Sequence, residues 1–153
     1  YEEAAELLFR LNRYQDAVDL LTVAIENQVA FPRLHHIISQ AFFALKDFKK
    51  ATRHIKSALS QEPENVSYLN QLGVCYKESE LYDDATKVYN TVIKIDPDNR
   101  SALYNKAIML AARNQAPEAI KLLQRCVEKH PDFELAARKL REIKEKSAAP
   151  KAG

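Results

Sequence analysis

Glycine is almost missing from this chain. Of the two glycines in 153 residues, Gly153 is the last residue and Gly73 lies inside an apolar pattern of helical spacing. So little glycine leaves no glycine-rich loop to cradle a phosphate. GxSxG and HExxH are absent as well. Cysteine is scarce, with only Cys75 and Cys126, no CxxC and no metal-type spacing. That fits free thiols in a reducing compartment better than a disulfide framework. Charge of one sign is lacking: 23 Lys and Arg face 21 Asp and Glu, which does not suggest a general polyanion binder. No run approaches the roughly 18 apolar residues of a membrane span, and no signal-peptide pattern is present. The opening YEEAAELLFR lacks Met and is already in helical rhythm, as expected of a piece of a longer protein. Cytoplasmic placement is the corresponding expectation. β-Branched residues do not alternate in runs, and 46% hydrophobic content is enough for a core, so the composition predicts an all-helical protein.

What is present is a repeat. Ala17, Ala51, Ala85 and Ala119 stand 34 residues apart, and Pro63, Pro97 and Pro131 keep the same period. Two further registers agree: Leu21, Ile55, Tyr89, Leu123, and Leu8, Phe42, Tyr76, Leu110. Tyr14, Phe48 and Tyr82 each precede their alanine by three. A fixed period of this length marks stacked supersecondary units.

The repeat resembles the tetratricopeptide family, whose unit is a 34-residue helix–turn–helix. The clearest copy is 66–99, with Leu69, Leu72-Gly73, Tyr76, Tyr82, Ala85, Tyr89 and Pro97 in the family's order. The resemblance implies an all-α fold, a right-handed α–α superhelix (solenoid) of about four units. It divides a single domain, 1–146, into a truncated repeat 1–31, repeats 32–65, 66–99 and 100–133, and a capping helix 134–146. Residues 147–153 are expected to be a disordered tail or linker. Val29 replaces the proline of the other copies, and Lys106 and Ala116 replace apolar and aromatic residues, so the fourth repeat is expected to be the loosest.

Each unit must bury its apolar stripe by stacking on a neighbour. Small residues mark where helix axes approach closely. Gly73 belongs to that set, because its register partners are Ala5, Ser39 and Ala107. Smallness, rather than backbone freedom, is its expected contribution. The prolines should stop each second helix, and Asp96, Asp98 or Asn99 should cap the next one.

Candidates for chemistry are few. His35 and His36 are adjacent, hence about 100° apart on a helix, a poor arrangement for chelating one metal. His35 is expected to pack where Leu69 and Leu103 stand, with His36 facing a groove. Cys75 and Cys126 read as buried small filler. Asp83-Asp84 suits a helix start. The basic run Lys46–Lys56 reads as a solvated face rather than a nucleic-acid site. The basic residues of 134–146 read as a cap surface that could meet an acidic partner. No enzyme, cofactor, metal, nucleic-acid or membrane-inserting role is expected.

The resemblance implies a non-catalytic interaction scaffold that holds a partner peptide or protein segment on a concave face of first helices. Carried over position by position, Glu2, Glu6, Phe9 and Arg10 fall on that face in the first repeat. Arg33, His36, Gln40 and Phe43 follow in the second, and Asn70, Gln71, Val74 and Lys77 in the third. Tyr104, Asn105, Ile108 and Ala111 complete it. The family's carboxylate clamp for chaperone C-termini uses Lys and Asn on one first helix, Asn on the next, and Lys and Arg on the third. His36, Gln40, Gln71, Ser101 and Asn105 stand at those positions without the cations, so that partner is not expected. A neutral or mildly amphipathic peptide is. The alternatives are a self-assembling structural unit, or a regulatory output domain of a larger protein, similar in style to arrays fused to bacterial signalling receivers.

Overall fold

The computed structural model describes residues 1–27 and 31–148; Val29 lies outside them. The described residues form nine helices. The first helices are α1 (Glu2–Arg10), α3 (Pro32–Ala44), α5 (Val66–Glu78) and α7 (Arg100–Ala112). The second helices are α2 (Tyr14–Glu26), α4 (Phe48–Gln61), α6 (Tyr82–Ile95) and α8 (Ala116–Lys129), and α9 (Glu134–Ala148) follows. Starts at 14, 48, 82 and 116, and at 32, 66 and 100, hold the 34-residue period throughout. The fold is all-α, of the helical-repeat class.

The chain divides into two compact units, Tyr1–Val88 and Tyr89–Gly153, with the boundary inside α6. A repeat array has no element that must contact the whole chain, so the sequence alone does not fix such a division. In the first unit, α1 packs on α2, α2 on α3, α3 on α4 and α4 on α5. Its core includes Ala5, Leu21, Leu34, Ile38, Ala51 and Cys75, and a second cluster joins Ile55, Ala58, Tyr68 and Leu72. In the second unit, α7 packs on α8 and α8 on α9 around Leu103, Ala107, Leu123, Cys126 and Ile143.

Helix ends follow the local chemistry. Asn65 and Asn99 accept from the backbone N–H of Tyr68 (3.2 Å) and Ala102 (3.0 Å), capping α5 and α7. Pro63, Pro97 and Pro131 each stand two residues beyond a second helix. The last helix runs to Ala148, two residues past the expected 146. Ser147 and Ala148 contain no breaker, and the next proline after Pro131 in the sequence is Pro150. Lys106, at a usually apolar position, keeps its ammonium solvated and donates to Asn90 Oδ1 (2.7 Å).

The turn inside each repeat was not foreseen. Asn12, Lys46, Glu80 and Asn114 have φ of 56°, 62°, 61° and 61°, again 34 residues apart. Each is the left-handed residue that closes a first helix. In the third repeat, Glu80 N–H donates to Lys77 O (3.0 Å) and Leu81 N–H to Tyr76 O (2.9 Å), satisfying two terminal carbonyls. Asparagine tolerates this conformation; glutamate does not, at a cost of roughly 1–2 kcal/mol.

His35 is half-buried but meets a partner that its neighbours in sequence do not supply. Its Nδ1 lies 3.2 Å from His54 Nδ1 on α4, and the His54 ring stacks on Phe42 at 5.5 Å. One nitrogen must donate and the other accept, so the two cannot both be protonated there. Burial, then the neighbouring His35 and Arg53, pushes His54 down to about 4. Burial lowers His35 as well.

Two outcomes are expected. Glu80→Gly should stabilise the fold by about 1 kcal/mol, read as a higher urea midpoint at unchanged m-value. The histidine pair should make the fold acid-sensitive. The unfolded chain binds protons below its ordinary pKa of about 6.5, whereas the folded pair stays neutral. The stabilisation is therefore complete above that pH and lost as pH falls toward 4. Urea midpoints measured from pH 7 to 4.5 should fall less steeply in His54→Phe than in the parent.

Candidate functional site

Three first helices of the first unit, α1, α3 and the start of α5, enclose a groove of about 580 Å³. Glu6, Phe9 and Arg10 line it from α1, and Arg33, His36, Ile37 and Gln40 from α3. Asn65, Ser67 and Tyr68 close the third side. These side chains converge because positions three and four apart on a helix share a face.

The groove's charges are largely balanced from within. Arg33 Nε lies 3.3 Å from Glu2 and its Nη2 3.0 Å from Glu6. Exposed pairs of this kind add little stability, but they fix where the guanidinium sits. The His36 ring lies 4.8 Å from Tyr68. Burial and then Arg33 lower the His36 pKa, so the ring is neutral at pH 7. Burial, with Glu62 next, raises that of Tyr68, whose hydroxyl stays a donor. Asn65 spends its amide on the cap and on Glu62 (2.7 Å), and Gln40 is a half-buried amide on the wall. The result is an aromatic and amide floor with one compensated charge cluster.

The second unit has a smaller slot of about 400 Å³ between the end of α7, the start of α8, and α9. Ile108, Ala111, Ala112, Ala116 and Ile143 form its apolar surface, and Lys139, Glu142 and Lys146 stand at its rim.

Of the expected groove residues, Arg33, His36 and Gln40 line the first-unit groove, together with Glu6, Phe9 and Arg10. Phe43 instead packs on Phe48 (5.3 Å) beside the core. Asn70, Gln71, Val74 and Lys77 are half-buried on α5, outside that lining. Gln71 Nε2 approaches Cys75 Sγ (3.8 Å), and Lys77 lies 3.5 Å from Glu78. In the second unit Ile108 and Ala111 line the slot. Tyr104 meets Phe133 edge-on at 5.3 Å, and Asn105 donates to Ser101 O (2.9 Å). Ile37, Asn65, Ser67 and Tyr68 were missed. The recurrence of Asn65 and Asn99 at the repeat period was the available signal.

Both cysteines are buried. Burial pushes Cys75 up to about 11 and raises Cys126, so neither thiol ionises as a nucleophile would at neutral pH. The described residues contain no group of three or more His, Cys, Asp or Glu placed to hold a metal. Among them, no helix is long and apolar enough to cross a membrane.

A family model described as tetratricopeptide repeat matches residues 42–101 and 78–143. The tetratricopeptide repeat-containing protein trd-1 of Caenorhabditis elegans is 25% identical over 103 residues, 65% of this chain and 13% of that protein. A protein O-mannosyl-transferase of the same organism is 27% identical over 99 residues, 65% of this chain and 14% of that protein. The chain thus spans only 13% and 14% of the length of these curated relatives. Among solved structures, YrrB, described as a TPR protein with an unusual peptide-binding site, superposes with a TM-score of 0.82 at 20% identity. That match covers 92% of this chain and 73% of YrrB. With the 34-residue register, the paired helices and a family model spanning well over half of its length, the chain belongs to the tetratricopeptide repeat family.

Proposed function

We propose that the chain is a non-catalytic protein-interaction module whose first-unit groove holds a neutral, mildly amphipathic peptide segment. The observation that carries this reading is the groove on α1, α3 and α5, in which Arg33 is compensated by Glu2 and Glu6 and His36 is neutral. A strongly charged segment would gain nothing there. A peptide backbone would find the Gln40 amide and the Tyr68 hydroxyl, and an apolar side chain would find Phe9 and Ile37. The peptide-binding site ascribed to YrrB supports the class of ligand. Buried free thiols suit a reducing compartment such as the cytoplasm.

The test is a comparison of partner retention. In the triple variant Arg33→Ala, His36→Ala, Gln40→Ala, the far-ultraviolet circular dichroism should be unchanged. Retention of partners held by the parent chain on an affinity column should drop at least tenfold. Retention equal to the parent's would move binding away from this groove.

A further inference from the structure

The slot of the second unit differs in chemistry from the first-unit groove. Half of its lining is aliphatic: Ile108, Ala111 and Ala112 from α7, Ala116 from α8, and Ile143 from α9, with Asn114 and Ser147 as its uncharged polar members. Its volume of about 400 Å³ falls within the range typical of small-ligand sites, roughly 300–1,000 Å³. Lys139, Glu142, Ile143 and Lys146 reach it because they recur at i, i+3, i+4 and i+7 on α9. Lys139 pairs with Glu142 at 3.1 Å. Lys146 lies one turn further on, so the rim carries two cations against one carboxylate. The helix as a whole repeats that bias, with Arg138, Lys139, Arg141, Lys144 and Lys146 against Glu134, Glu142 and Glu145.

We propose that this slot receives the aliphatic side chain of a partner peptide segment in which that residue is flanked by Asp or Glu. An aliphatic residue is matched by the Ile108, Ala111, Ala112, Ala116 and Ile143 surface. A flanking carboxylate lies against the Lys139–Lys146 rim, where a flanking Lys or Arg is repelled. The proposal rests on reading the chain as an interaction module, but not on the first-unit groove.

The test uses the full chain, labelled with nitrogen-15, and four capped probe peptides followed by amide chemical shifts. The probes are acetyl-Glu-Leu-Leu-Asp-amide, acetyl-Gln-Leu-Leu-Asn-amide, acetyl-Lys-Leu-Leu-Lys-amide and acetyl-Glu-Ser-Ser-Asp-amide. The first should shift Ile108, Ala112 and Ile143 and bind at least tenfold more tightly than the lysine peptide. The serine peptide should leave those residues unmoved, and added salt should narrow the acidic preference. In Lys139→Glu, Lys146→Glu the ranking of acidic and basic peptides should reverse. That variant leaves Ala136 and Ile143, through which α9 packs, untouched. Equal binding of the acidic, neutral and basic leucine peptides, or an unchanged ranking in the variant, overturns the proposal. Shifts confined to the first-unit groove also overturn it and leave the proposed function standing. No shift at any residue overturns it too, while the first-unit groove is judged by its own retention assay.

Discussion

Ser39 Oγ donates 2.8 Å to the carbonyl of Ala51, across the crossing of the two helices of one repeat. Both residues are fully buried. A bond this short between a side chain of one helix and the backbone of another requires the axes to lie close. The same register holds Ala5 with Ala17, Gly73 with Ala85, and Ala107 with Ala119, all buried. Small residues on both sides of the crossing are the constraint on which the rest depends. They set the angle at which each second helix leaves its turn, and hence which faces remain for stacking. Larger residues such as Leu21, Ile55, Tyr89 and Leu123, all fully buried, then fill the remaining space.

Much of this was legible because the period repeats the same physics several times. The alanine register located the crossings, and the prolines located the second-helix ends. Asn99, one of three capping residues considered, is the one whose side chain accepts the Ala102 amide. What the sequence hid falls into two kinds. Lys46 and Glu80 occupy left-handed turns that their side chains do not favour, since closing a helix over a fixed period outweighs a local penalty. His35 was read from its own helix, whereas its partner, His54, arrives from α4, nineteen residues on. Pairings between helices depend on crossing geometry, which residue spacing along one helix does not encode.

The candidate site divides in the same way. Positions on α1 and α3 were legible in part, since Arg33, His36 and Gln40 share one helix face and line one groove, while Phe43 packs beside the core. The α5 positions were not: Tyr68, Ser67 and Asn65 supply the third wall, from the capping end of the helix rather than its middle. The slot against α9 escaped because that helix reads from sequence as a charged cover. Its lysines and Ile143 become parts of a concavity only once α9 is laid across α7 and α8.

The central claim is tested most directly at Gly73. No glycine among the described residues has positive φ, so its place in α5 demands a small side chain and nothing special of the backbone. Urea unfolding of Gly73→Ala and Gly73→Leu measures this. The alanine variant should equal or exceed the parent, gaining up to about 1 kcal/mol of helix propensity. The leucine variant should lose roughly 1–3 kcal/mol through overpacking at the crossing with Ala85. Severe destabilisation by alanine, or tolerance of leucine, would contradict the account.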